Sequence, residues 1–495
     1  MLKLRRAASS LGAALVAAAL TLPACADPLA AFVTLGGADS GEPFALARVI
    51  VPGAGAHCPA LAPIGGGAEQ PMTSRRNPDP THFDVTVCEA VYPTDGTRLK
   101  VSGLKVGGAD LQLPGVQAEV SRMVIFGDTG CHPKYQDRCQ AGKHWPFGEL
   151  ARAAAESGPQ LVVHVGDYNY RGTPGKIDIR HPDGALHRVR VYDAGDNAPG
   201  VTCTLSGPYT GQNSAGSTSP DAWKPWQEDF FEPARSLLHA APWVFARGNH
   251  ELCSRAGPGY FYLLDPGSDL VPASGGQLAC PSAAAAEPLV FREPFRLDLG
   301  NLSLVVLDSA NACDQGDLHQ AHFDAQFRKI RRLVQDAPAT GPAWLLTHRP
   351  IWGLTEPDDG APGQTRDATG HYEVIDRTLQ TAYARAPWPK PIELVLSGHV
   401  HRFQAVASEP PGALPLQLII GNSGTELSRS DDGATFLVPL GETTAVCFGL
   451  SEFGYMDIAF QGGAWTGRLF ERAGKVSVRC ATEAPAKTAV CAFAE

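Results

Sequence analysis

Three features of this sequence predict a layered α/β fold behind a smaller β-rich segment. Short, wholly apolar runs recur along the chain, and each ends in a polar or glycine-rich turn, the pattern of central strands. Segments with helical spacing lie between them. Ahead of both comes a stretch of alternating short runs broken by Gly, Pro and Asp. A chain of 495 residues also exceeds the roughly 250–300 at which one core stops growing, so two domains are expected.

At the N-terminus, Lys3, Arg5 and Arg6 precede an apolar run from Ala7 to Leu22 that ends in small residues. This predicts a cleaved export signal over residues 1–26, not a membrane span. Ala24-Cys25-Ala26 offers a cleavage site, and Leu22-Pro23-Ala24-Cys25 also resembles a lipoprotein box that would put a lipid anchor on Cys25. The expected location is the periplasm or the exterior. No later stretch approaches the roughly 18 apolar residues of a spanning helix.

Residues 27–118 carry runs such as Ala45 to Val51 and Phe83 to Val87, which read as strands of a small β-sandwich-like domain without a ligand cluster. Residues 119–475 follow as the main domain, with strands expected at Met123 to Phe126, Leu161 to Val165, Trp243 to Phe245, Leu302 to Leu307, Trp344 to Leu346 and Leu394 to Leu396. Helices are expected over Phe147 to Glu156, Trp226 to His239 and Phe323 to Val334. The stretches 171–219 and 257–287 read as irregular loops. Phe448 to Gly467 adds alternating positions that would close a second sheet, and 476–495 form a tail. Trp223, Trp226 and Trp243 read as core.

The formal charge of −10 argues against a nucleic-acid partner, and loss of the basic leader would deepen it. An acidic protein can still take an anionic substrate where bound cations supply a local positive centre. Of twelve cysteines, removal or lipidation of Cys25 leaves an odd number, so one thiol must stay free or find an unusual partner. Disulfides fit an exported chain, and Cys131 with Cys139, Cys58 with Cys88 and Cys480 with Cys491 are the natural pairs by proximity.

Five motifs sit just after expected strands: Gly127-Asp128-Thr129-Gly130, Gly166-Asp167-Tyr168-Asn169-Tyr170, Gly248-Asn249-His250-Glu251, Thr347-His348 and Gly398-His399-Val400-His401. Crevices beyond the carboxyl ends of such strands are where ligands bind. Oxygen and imidazole donors from five loops suit a pair of hard or borderline cations. Asp167 is the candidate bridge, Asp128 would bind one ion, and Asn249 would offer its amide oxygen to the other. His399 and His401 could each serve a different ion. A phenol such as Tyr170 becomes an anionic ligand near neutral pH only against a strongly Lewis-acidic ion, for which ferric iron is the natural candidate.

In this order the motifs resemble those of the calcineurin-like metallophosphoesterases, and specifically the purple acid phosphatases, over residues 120 to 425. The general superfamily has Asp-x-His first. Here Gly130 takes the histidine's place and Tyr170 stands three residues after Asp167, as in the purple acid phosphatases. The resemblance implies a four-layer αββα metallophosphoesterase sandwich and an exported hydrolase of small phosphate monoesters, acting by metal-activated water. It implies that Asp128, Asp167, Tyr170 and His401 hold Fe3+, with Asp167 bridging. Asn249, His348 and His399 would complete a site for Zn2+, Mn2+ or Fe2+. His250 would contact the phosphate and protonate the leaving group. Glu251 would orient it or be a surface carboxylate. The histidines that some members place after the fourth motif are absent, since Arg349-Pro350-Ile351-Trp352 follows His348.

Among residues outside the set, His132 lies where it could reach phosphate, and Arg349 would balance phosphate charge or be a solvated loop cation. His144 and His164 read as ordinary histidines, and Gly421 to Thr425 as a tight turn. Two rivals keep the same residues: a phosphodiesterase or nucleotidase with two divalent metals and Tyr170 as lining, and a non-catalytic envelope lipoprotein.

Overall fold

The computed structural model describes residues 28–131, 145–170, 176–180, 186–190, 221–252, 255–267, 290–312, 319–335, 341–355, 373–388, 392–428, 435–440, 443–483 and 488–494. Two large sheets, one of eleven strands and one of eight, lie face to face. The first contains β1 (Ala30–Gly37), β2 (Arg122–Phe126), β3 (Leu161–His164) and β4 (Trp243–Phe245). The second contains β5 (Ser303–Val306), β6 (Ala343–Leu346) and β7 (Ile392–Ser397). Within each sheet these strands run parallel, β2 with β3, β3 with β4 and β4 with β1, then β5 with β6 and β6 with β7. Each of the five motifs follows β2, β3, β4, β6 or β7, so within a sheet they emerge at one edge.

Alternation explains why these strands read as unbroken apolar runs. In β2, Met123 and Ile125 face the core between the sheets, while Val124 and Phe126 face the helices. In β6, Trp344 and Leu346 point between the sheets and Ala343 and Leu345 outward. Helices α1 (Phe147–Glu156) and α2 (Glu232–Ala240) cover the first sheet, α3 (Gln320–Gln335) and α4 (Arg377–Arg385) the second. The layers are therefore αββα, as the sequence predicts. Trp223, Trp226 and Trp243 are buried in the outer core of the first sheet.

The sequence reading sets residues 27–118 apart, but some of their strands are hydrogen-bonded into the first sheet. Thr34 of β1 pairs with Trp243 of β4, and Pro43–Pro52 and Val85–Tyr92 extend the sheet beyond β1. The reason lies in β1 itself: Ala31, Val33 and Leu35 face the inter-sheet core and Phe32 the helix side, so both faces need cover. A separate four-stranded sheet, including Ala60–Pro63 and Leu99–Val106, accounts for the rest of the segment's strands apart from a short edge strand. The segment read as a tail likewise supplies the last two strands at one end of the first sheet, Val476–Glu483 and Thr488–Phe493. Of the stretch Phe448 to Gly467, expected to close a second sheet, only Phe448 to Leu450 lie in a strand of that sheet, Thr443–Leu450; Gly454–Gln461 and Ala464–Glu471 return to the first, where Gly454–Gln461 pairs with β2.

One expected loop contains a helix, Gly257–Leu263, with proline in its first turn and Tyr260 to Leu263 buried. Most of the two loop stretches, and residues 1–27, fall outside the described residues. Cys58–Cys88 and Cys480–Cys491 are disulfides. Cys139 lies outside the described residues; among the described ones, Cys447 carries a free buried thiol. No described helix is long and apolar enough to cross a membrane.

Trp344 joins the sheets, with its ring 5.4 Å from that of Trp465 and 5.2 Å from that of Phe460, both on Ala464–Glu471 or the strand before it. Trp344→Ala is expected to cost about 3–5 kcal/mol of stability, the range for emptying a buried aromatic site. Urea denaturation measures this; an unchanged midpoint would show that the sheets do not depend on that contact.

Candidate metal centre

The donors are aimed by unusual backbone. Asp128, Asp167 and His399 have φ of 54°, 61° and 71°, the left-handed region that non-glycine residues avoid at a cost of about 1–3 kcal/mol each. Each is the second residue of a glycine-led turn at the end of a parallel strand. The left-handed residue reverses the chain at once and turns its side chain into the crevice between the sheets.

Two groups of donors result, with Asp167 common to both. Asp128, Asp167 and His401 form one; Asp167, His348 and His399 form the other. Tyr170 joins the first: its phenol oxygen lies 3.2 Å from Asp128 Oδ1, 3.2 Å from Asp167 Oδ2 and 3.1 Å from His401 Nε2. Asn249 joins the second, its Oδ1 lying 2.6 Å from His348 Nε2 and 2.9 Å from His399 Nδ1. All seven sequence-predicted ligand positions thus meet in one crevice, four from the first sheet's loops and three from the second's.

The chemistry of this set fits cations. His348 Nδ1 lies 2.8 Å from the Val165 carbonyl, which only accepts, so that nitrogen carries the proton. Nε2 faces another acceptor, Asn249 Oδ1, at 2.6 Å, so a proton or a cation has to lie between them. Converging lone pairs are unfavourable unless a positive charge sits among them. The carboxylates show the same crowding. Burial, then the Asp167 charge, push the Asp128 carboxyl well above the usual carboxylate range. Burial works to raise Asp167 too, but the charges of His348 and His250 and their hydrogen bonds outweigh it and hold that carboxyl well below. Burial, then Asp128 and Asp167, push the Tyr170 phenol well up. Two cations would be held by these seven residues and would offset that crowding.

Surrounding residues fix the donors. The Glu251 carboxylate is buried and accepts backbone N–H bonds from Asp167, Tyr168, Asn169 and Gly248 at 2.9–3.2 Å. It therefore neither lies on the surface nor orients the His250 ring; it ties the third motif to the second. The backbone N–H of His399 donates to the Asp128 carboxylate at 3.0 Å, joining the fifth motif to the first. Gly421 to Thr425, read as a plain turn, braces the first motif from behind: Thr425 N–H donates to the Asp128 carbonyl at 2.8 Å and Ser423 N–H to Gly127 at 3.2 Å.

His250 is almost buried, its ring centroid 4.0 Å from that of Tyr170, and its backbone N–H donates to Asp167 Oδ1 at 2.9 Å. Arg349 is fully buried, with Nη1 3.0 Å from His399 Nε2, so the solvated-cation reading fails. His164 is buried away from the donors, stacked on Tyr168 at 4.1 Å and 2.9 Å from the Thr129 hydroxyl. Burial, then His348, hold it well below the usual histidine range. His132 and His144 lie outside the described residues.

The family pattern of calcineurin-like phosphoesterases matches residues 121–403, which span all five motifs. The chain belongs to that family. No curated protein matches it. Among solved structures, a conserved uncharacterized protein from Streptococcus pneumoniae TIGR4, titled a predicted phosphoesterase, is similar over 76% of this chain and 98% of its own, with 11% identity and a TM-score of 0.21. As a calcineurin-like phosphoesterase, the protein is a metal-dependent hydrolase of phosphate esters, and its layered fold is that of its family.

Sequence reasoning passed over Asp308 and Ser309, which follow β5, the strand beside β6. The signal was available, since an acid follows an apolar run there as it does after β2 and β3. In this phosphoesterase Glu251→Gln is expected to lose about 2–3 kcal/mol, the scale of one or two buried N–H groups left without an acceptor. Thermal or urea denaturation reads it, and wild-type stability would show that Glu251 does not hold the loop.

Proposed function

We propose that this phosphoesterase is an exported phosphate monoesterase of the acid-phosphatase type, built on a purple-acid-phosphatase-like centre. Asp128, Asp167, Tyr170 and His401 would hold Fe3+; Asp167, Asn249, His348 and His399 would hold Zn2+, Mn2+ or Fe2+. The observation that carries this reading is the Tyr170 phenol oxygen within 3.2 Å of Asp128, Asp167 and His401. A phenol that burial and two carboxylates push upward ionises only beside a strongly Lewis-acidic ion. Export is supported by the leader over residues 1–26, with or without lipid on Cys25, and by the disulfides Cys58–Cys88 and Cys480–Cys491.

When bound, the cations supply Lewis acidity and lower the pKa of water. The chain's own residues do the rest. Asp167 keeps its charge because His348 and His250 face it, so it is ready to be shared. His348 is held in one tautomer by Val165, and Asn249 is set against it. The His250 ring stands beside Tyr170 at the edge of the donor set, where it meets the phosphate and donates a proton to the departing alcohol. Burial of Asp128, Asp167, Tyr170, Asn249 and His348 keeps bulk water from screening the charges there, while His399 and His401 stay partly exposed.

Protein purified without chelator is expected to contain two metals per chain, one of them iron, and to be coloured. Tyr170→Phe should remove the visible band. A colourless enzyme with two divalent ions and full turnover would instead favour the phosphodiesterase or nucleotidase reading.

Asp167→Ala is expected to lose both metals and all turnover. His250→Ala should keep both and lose about 10²-fold or more in kcat, the lower end for a general acid. Metal analysis with steady-state kinetics on phosphate monoesters separates these, and normal turnover in His250→Ala would remove that residue from the mechanism.

A further inference from the structure

The cation expected among Asn249, His348 and His399 takes its ligands from both sheets, and one turn touches the anchors of two of them. Asn249 belongs to the loop after β4 in the first sheet, His348 to the loop after β6 in the second. Between them stands the turn after β5. Ser309, fully buried, accepts the backbone N–H of His348 at 3.2 Å and of Arg349 at 2.8 Å, and shares a hydrogen bond with the Thr347 hydroxyl at 2.8 Å. Its neighbour Asp308 pairs with Arg247, two residues before Asn249, through Nε at 3.0 Å. That guanidinium also donates to the Asn311 side chain at 2.6 Å and to the Val290 carbonyl at 2.6 Å, and its charge lies 5.1 Å from the Phe261 ring centre.

Adjacent residues of one short turn therefore grip the fourth motif by its backbone and the third by its arginine. The turn is itself stiff, since the Asp308 carboxylate accepts N–H bonds from Arg292 at 2.8 Å and Ala310 at 3.2 Å, and Ala312 N–H donates to the Ser309 carbonyl at 2.9 Å. Neither residue has a contact with Asp128, Tyr170 or His401 among the described hydrogen bonds and ion pairs. Those donors are fixed by other means: Asp128 by His399 N–H and the Gly421 to Thr425 turn, Asp167 by Glu251 and His250 N–H.

We propose that Asp308 and Ser309 are positioning residues for one of the two cations, setting the distance between Asn249 and His348 across the sheet junction and leaving the Asp128–Tyr170–His401 site untouched. The inference rests on the two-cation reading above and adds that the sites are held by separable supports. Outer groups that orient ligands typically carry 10- to 100-fold in metal affinity.

The test is metal titration of chelator-stripped full-length protein with Zn2+ and Mn2+ by calorimetry, alongside metal analysis of the purified protein and its visible spectrum. Wild type should bind two equivalents; fewer would sink the two-cation reading itself. Given two, Ser309→Ala and Asp308→Asn should each weaken one equivalent by at least about 10-fold and leave the other, and any iron-dependent absorption, unchanged. Ser309→Thr, which keeps the hydroxyl, should bind like wild type. Should Ser309→Ala fail to fold, Asp308→Asn carries the same comparison. Equal weakening of both equivalents in a folded variant, or loss of neither, would overturn the proposal.

Discussion

Everything in this structure turns on an unfavourable meeting: lone pairs and negative charge driven together at the seam between two sheets. Asn249 Oδ1 and His348 Nε2 oppose each other at 2.6 Å, and Asp128, Asp167 and Tyr170 share a buried space. Such a centre lowers the stability of the metal-free chain, so the rest of the fold must hold it. The αββα layering does so by placing rigid parallel strands on both sides of the seam. Three donors in left-handed backbone add about 1–3 kcal/mol of strain each. The compensation is visible in backbone hydrogen bonds that cross from loop to loop, from His399 to Asp128 and from Asp167, Tyr168 and Asn169 to Glu251.

Much of this was legible in the sequence because parallel strands buried on both faces leave no ambiguity of pattern. Trp243 to Phe245 appears as a strand with the expected limits, Phe147 to Glu156 as a helix with the expected limits, and the other central strands differ by at most two residues at either end. The donor positions were legible for a different reason. Their chemistry demands Asp, Asn, His and Tyr, and few other tasks place those types one after another behind apolar runs.

What escaped was long-range. A change of pattern near residue 118 suggests a boundary there, yet pattern reports local environment and not hydrogen-bond partners about 200 residues away, such as Thr34 and Trp243. Glu251 escapes for the same reason: its nearest neighbour in sequence, His250, suggests a partner, whereas its carboxylate faces N–H groups about 83 residues earlier in the chain. Ser309 gives no sequence signal of its own, since a hydroxyl accepting backbone N–H groups looks like any other serine.

The exchange at Gly130 and Tyr170 shows how one steric fact can join two positions 40 residues apart. A Cβ at residue 130 would lie 2.7 Å from Tyr170 Cδ2 and 2.6 Å from the Tyr168 carbonyl oxygen, closer than side-chain carbons come to either. A histidine at 130 and a tyrosine at 170 therefore compete for the same volume. On the proposed reading, the superfamily's Asp-x-His ligand and this chain's tyrosine would be alternative ways to bring a donor to the same side of the centre, and adopting one would exclude the other. The choice has an electronic consequence as well as a steric one. An imidazole is a neutral ligand, whereas a phenol must lose a proton that burial and two carboxylates hold in place. A chain committed to glycine at 130 is thereby committed to an ion acidic enough to take that proton, or to a tyrosine that stands beside the centre without joining it.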